Sequence, residues 1–168
     1  MNTRDAGLMF VEQPLVHDDL GGLERLTGLT STPIGADEGI HSLKDIRRHH
    51  EGKAASGVSL KAIKLGGVRA VVDAARLCAR LGMQVNISCK TGETSVACAA
   101  ALHVAAVVPE IAWGLTLTNA GLCDDVTPHP VRIVRGHADI LDRPGLGIDV
   151  DENCVQRHRV VIRSRRLA

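Results

Sequence analysis

Short apolar runs and longer helical patterns alternate along the chain from residue 8 to residue 117. Leu8-Met9-Phe10-Val11 is a strand-type run that ends at Glu12-Gln13-Pro14, because proline cannot donate to a sheet ladder. A short helix is expected over residues 20–26, closed by Gly28, and Pro33-Ile34-Gly35-Ala36 reads as a second strand leading into Asp37-Glu38. Ser42 is a good N-cap for a helix over residues 43–50, with Gly52 beyond its end. The run Val58-Ser59-Leu60-Lys61-Ala62-Ile63 predicts a third strand, broken by Gly66-Gly67. Apolar positions 68, 71, 72, 75 and 78 then fall on one face of a helix over residues 68–81, stopped by Gly82. Gln84–Ser88 is a fourth strand, Thr94 or Ser95 caps an alanine-rich helix ended by Pro109, and residues 112–117 are a fifth strand.

Strands alternating with helices at this spacing predict βα units and a parallel sheet. Two architectures suit that pattern, a doubly wound sheet and a (β/α)8 barrel. No G-x-G-x-x-G follows the first strand, as the doubly wound reading would want. Instead Glu12, Asp37 and Lys61 each stand at or near the carboxyl end of a strand, 25 and 24 residues apart. In a barrel that face gathers the chemistry. The expected class is α/β, a partial (β/α)8 barrel over residues 1–126. Beyond it, Pro128-His129-Pro130 and Pro144-Gly145-Leu146-Gly147 mark turns beside short β-type runs at 131–134 and 148–150. Residues 127–156 read as a segment packing back on another part, and residues 157–168 as an arginine-rich tail.

Composition narrows the partners. Lys plus Arg number 20 against 19 Asp plus Glu, so no global positive field holds nucleic acid or an anionic membrane. With Phe10 and Trp113 the only aromatics, no stacking platform for single strands exists either. The arginines at 157, 159, 163, 165 and 166 could form a nucleic-acid arm, but at net charge +1 a solvated terminus is favoured. No stretch reaches the ~20 uncharged apolar residues of a membrane span, and the first residues carry no signal-type apolar run. A cytoplasmic location is expected. The five cysteines form no C-x-x-C pair, which argues for reduced thiols, most of them buried.

Two carboxylates and a lysine at strand ends suit a hard divalent cation beside an acid/base group. Glu12 and Asp37 could equally be strand-end caps and Lys61 a solvated tip. The strings Phe10-Val11-Glu12-Gln13-Pro14, Gly35-Ala36-Asp37-Glu38 and Leu60-Lys61-Ala62-Ile63-Lys64-Leu65-Gly66-Gly67, in that order, tip the balance. They resemble the mandelate racemase/muconate lactonizing enzyme branch of the enolase superfamily. The alanine-rich helix and Pro144–Glu152 extend the likeness over nearly the whole chain.

The resemblance implies roles. Glu12 matches the metal ligand after the fourth barrel strand and Asp37 the one after the fifth, with Glu38 bracing the ion's ligands from outside. Lys61 matches the lysine after the sixth strand, an acid or base at the substrate α-carbon. The implied cofactor is Mg²⁺, with Mn²⁺ an alternative. The implied reaction is removal of the proton α to a small carboxylate through a metal-stabilised enediolate, as in racemases, epimerases, cycloisomerases and dehydratases. Sites of this superfamily set a Lys or His base beside Mg²⁺. Amino-acid-like or proline-like substrates are suggested by Ser88–Thr94 and Trp113–Thr118. Lys64 could also face the site, but its offset of three from Lys61 favours a structural or helix-entry role. Lys90 and Glu93 are candidates to line the pocket. Trp113 could floor it, stack on a cationic group, or be a core tryptophan. A homo-oligomer is expected of the full-length enzyme.

Departures are also expected to matter. The family's first metal ligand, its Lys-x-Lys pair and its capping domain have no counterpart before Glu12, and a whole barrel takes ~250 residues. The chain is therefore expected to be strands four to eight of a longer enzyme, inactive alone. The alternatives are a non-catalytic remnant or assembly subunit and, with less support, a phosphate-binding barrel at Gly66-Gly67.

Overall fold

A computed structural model describes residues 6–160. Its elements are β1 (Val11–Glu12), α1 (Leu20–Leu29), β2 (Ile34–Ala36), α2 (Leu43–Glu51), β3 (Gly57–Leu60), α3 (Ala62–Leu65), α4 (Val68–Leu81), β4 (Gln84–Ser88), α5 (Ser95–Val107), β5 (Leu115–Thr116), a 3₁₀ turn (Asn119–Gly121) and α6 (Glu152–Arg157). All five strands are parallel and pair in chain order, β1-β2-β3-β4-β5. Parallel neighbours joined by helices curl into part of a (β/α)8 barrel, so the expected class holds.

The core lies between this sheet and its helices. Val58, Leu60, Val85 and Ile87 pack with Val71, Ala74, Ala75, Leu77 and Cys78 of α4, all nearly inaccessible to water. The strand period of two sends the alternate residues inward, where Ser59, Asn86 and Ser88 are buried too. The inner face is closed below by Trp113, whose ring stacks on Phe10 with centroids 4.2 Å apart. Gly35 and Gly57 make room for it: a Cβ on Gly57 would lie 2.5 Å from the indole and from the Gln84 carbonyl.

Local signals place several boundaries well. Ser42 accepts a hydrogen bond from the Asp45 amide and caps α2, and Gly82 ends α4 in the left-handed conformation at φ 69°. Four differences have physical causes. Only Val11–Glu12 of the first apolar run is strand, because only those residues find a partner, on Ile34 and Gly35. Gly28 lies inside α1, which continues to Leu29. Val68, expected on the buried face of α4, is 42% exposed at its first position. Neither Thr94 nor Ser95 caps α5 with its own side chain; the Asp125 carboxylate, 30 residues on, accepts from the Ser95 amide instead.

The runs at 131–134 and 148–150 are not strands; Val134 makes one isolated bridge to His137. Val131, Ala138, Leu146 and Ile148 of this segment pack on Cys98, Ala99 and Leu102, while Asn119 donates to the Val131 carbonyl and Ser95 Oγ accepts from the Val131 amide. Arg157 is the last residue of α6, and residues 163, 165 and 166 lie outside the described residues. Among the described residues no helix is long and apolar enough to cross a membrane.

Candidate active site

Asp37 follows β2 and is almost fully buried. Its carboxylate accepts from Lys61 Nζ at 2.5 Å and from Lys64 Nζ at 2.5 Å, one ammonium on each oxygen. Lys64 also donates to the Asp37 carbonyl. Lys61 and Lys64 reach the same acid because the chain turns helical directly after β3. Had the strand run on through Ile63, residues three apart would face opposite sides; in the α3 turn they share one. Lys64 is thus part of the cluster, the alternative that its offset of three from Lys61 disfavours, and Ala62 and Ile63 are helical rather than strand.

Burial opposes ionisation of Asp37, and hydrogen bonds and charge from Lys61 and Lys64 outweigh it, holding the carboxyl below the ordinary range. Burial pushes Lys64 below the ordinary lysine range, and its hydrogen bond to Asp37 and the Asp37 charge offset that only in part. Asp37 gains from two ammonium groups, whereas Lys64 has one carboxylate to set against its burial.

Gln13, which carries no signal in the sequence beyond its place after Glu12, holds the Asp37 loop. Its side-chain oxygen accepts from the Asp37 amide at 2.9 Å and the Gly39 amide at 3.3 Å, and its amide nitrogen donates to the Leu15 carbonyl. Gln13 itself sits at φ 39°, a left-handed conformation unusual for a side chain of this kind, so its orientation depends on those bonds. Glu12, at the end of β1, points onto the same inner face, where its carboxylate accepts from Ser59 Oγ. Among the described residues Glu12 has no cationic partner.

A cleft of about 420 Å³ opens beside this cluster, lined by Asp37, Glu38, His41, Lys61, Lys64 and Lys90 among others. Lys90 and exposed Glu38 therefore reach the rim of the site. Glu93 does not line that cleft: its carboxylate accepts from the Lys90 amide at 3.0 Å and closes the loop before α5. Trp113 precedes β5 rather than ending it and packs over Gly35 and Gly57, at the amino end of the sheet and away from Lys61. Trp113 is buried there, stacked on Phe10. Asn86, absent from the expected site, donates to the carbonyls of Trp113 and Gly114 and to Thr116 Oγ1, so one buried amide ties β4 to β5. An Asn in the middle of an apolar strand is the signal available for it.

Residues 2–154 match the sequence profile of the family described as Enolase C-terminal domain-like. Chloromuconate cycloisomerase of Cupriavidus necator is 31% identical over 155 residues, covering 92% of this chain and 42% of that enzyme. The o-succinylbenzoate synthase of Thermobifida fusca is 36% identical over 152 residues, covering 86% of this chain and 45% of that enzyme. Racemases and epimerases are among the other relatives. In solved structures, the muconate lactonizing enzyme from Pseudomonas putida superposes with a TM-score of 0.85 at 31% identity, over 91% of this chain and 43% of that one. The chain thus spans less than half the length of the proteins it matches.

Proposed function

Because the chain belongs to the Enolase C-terminal domain-like family, we propose that Lys61 acts as acid or base at the α-carbon of a small carboxylate, with Glu12 and Asp37 as metal ligands. The observation that carries this reading is the Lys61–Asp37–Lys64 cluster at the carboxyl end of a parallel sheet, where such folds place their chemistry. Its excess positive charge suits an anionic substrate, and Lys90 on the rim adds to it.

The donor set fits Mg²⁺, with Mn²⁺ as an alternative. Glu12 and Asp37 offer only oxygens from adjacent strands, and Glu12 is an inward carboxylate without a cation of its own. When bound, the ion supplies positive charge to the substrate carboxylate as negative charge develops there. Asp37 holds Lys61 Nζ in place, Lys64 and Gln13 hold Asp37, and Lys61 takes or returns the proton.

Racemisation, epimerisation, cycloisomerisation and dehydration all share that step. The test is incorporation of solvent deuterium at the α-carbon of a carboxylate panel that starts with amino acids and proline-type acids and extends to muconates. The chain alone is expected to be inactive; joined to the N-terminal portion of a relative it should exchange the proton in the presence of Mg²⁺. Lys61→Ala should then abolish exchange on one substrate face. Undiminished exchange on both faces removes Lys61 from the reaction, and no exchange in the joined protein favours a non-catalytic assembly role.

A further inference from the structure

We propose that Asp124, Cys154 and His158 form a Zn²⁺ site that clamps α6 to the loop after the 3₁₀ turn. Cys154 lies in α6 and His158, four positions on, is the helix's C-cap residue with its amide bonded to the Cys154 carbonyl, so the two side chains come to the same side of the helix end. Asp124 comes to that face from 30 residues earlier in the chain. Its Oδ2 lies 3.5 Å from Cys154 Sγ and 3.0 Å from His158 Nε2, and the three ligand atoms all fall within 4.8 Å of one another.

The two separations from Asp124 Oδ2 are close to what a tetrahedral ion needs, and the Cys154–His158 pair lies within 4.8 Å. Bonds of about 2.0–2.3 Å to oxygen, nitrogen and sulfur put neighbouring ligand atoms roughly 3.2–3.8 Å apart. The donors also choose the metal. A thiolate with an imidazole selects Zn²⁺ over the hard Mg²⁺ that suits Glu12 and Asp37. Three protein ligands leave a fourth position for water, and Cys154 is buried while Asp124 and His158 are exposed, so the ion would enter from the solvent side. Binding releases the Cys154 thiol proton to solvent, with His158 neutral and Asp124 ionised. Arg157 Nη2, 3.7 Å from Asp124 Oδ2, occupies the position of a counter-charge and is exposed enough to move aside.

The competing account is a hydrogen-bonded anchor for α6, with Cys154 Sγ donating also to the Asp125 carbonyl at 3.1 Å. The two accounts differ in what metal does. None of the three residues lines the cleft beside Asp37, so the proposal stands apart from the α-proton chemistry.

The test titrates the chelator-treated chain with Co²⁺ and then with Zn²⁺. One equivalent of Co²⁺ should give a thiolate-to-metal charge-transfer band that Zn²⁺ removes, and Zn²⁺ should slow amide exchange in α6. Cys154→Ser should abolish the band, and Asp124→Asn, which keeps thiol and imidazole, should weaken Zn²⁺ binding at least about tenfold. Cys123→Ser, at the exposed cysteine, should leave the band intact. Absence of the band in the unaltered chain, its survival in Cys154→Ser, its loss in Cys123→Ser, or unchanged affinity in Asp124→Asn overturns the proposal.

Discussion

The two faces of the sheet are built from alternate residues of the same strands, yet they obey different rules. Outward, Val58, Leu60, Val85 and Ile87 meet α4, and shape and apolar area decide the fit. Inward, Ser59, Asn86 and Ser88 are about as hidden and Lys61, just past β3, is partly buried, but each polar group must find a partner. Ser59 donates to Glu12, Lys61 to Asp37, Asn86 to the Trp113 and Gly114 carbonyls just before β5, and Ser88 to the Cys89 carbonyl. A packed apolar face tolerates replacement by another side chain of like size. A face of paired charges does not, because a lost partner leaves a buried group unsatisfied.

The contrast is open to direct attack. Leu60→Ala should cost the most, about 2–5 kcal/mol in denaturant unfolding, since the fully buried side chain leaves a cavity beside α4. A loss under about 1 kcal/mol, on this scale, would show that the outer face is loosely packed. Asp37→Asn should cost less, about 1–3 kcal/mol, through two ammonium groups deprived of their carboxylate. That cost should also depend on pH. The folded Asp37 value lies below its ordinary 3.8, so its contribution is complete above that pH and vanishes as pH falls through the folded value. Unfolding of both proteins at pH 7 and at progressively lower pH should show the two curves converging in acid; a constant gap would mean that the ion pairs contribute nothing. Arg69→Gln should cost least, under about 0.5 kcal/mol, because its pair with Asp73 is solvent-exposed.

Legibility follows the range of the interaction. Gln84–Ser88 and Val68–Leu81 are legible with their observed bounds, since period and a stopping glycine are local. The strand after Gly57 reads three residues too long, because Ala62 and Ile63 suit a strand pattern as well as a helix and only the α3 turn separates the cases. The same three residues misplace Lys64. Glu93 suggests a pocket residue through its place after Gln84–Ser88, and in the structure its carboxylate accepts from the Lys90 amide, a contact that only the folded loop makes. The Gln13 brace and the Asp125 cap join residues 24 and 30 positions apart, and no local pattern announces them.

By itself the sequence determined the alternation of strand and helix, the parallel class, and the strand-end positions of Glu12, Asp37 and Lys61. Those follow from side-chain period and from residue type, which act over a few neighbours. The tertiary structure decided which charges meet: that Asp37 is shared by two lysines, that Trp113 closes the base of the sheet, and that Asp124 lies against Cys154 and His158. Such meetings depend on how strands curl and where loops return, and Coulomb forces and close packing act across space without regard to distance along the chain.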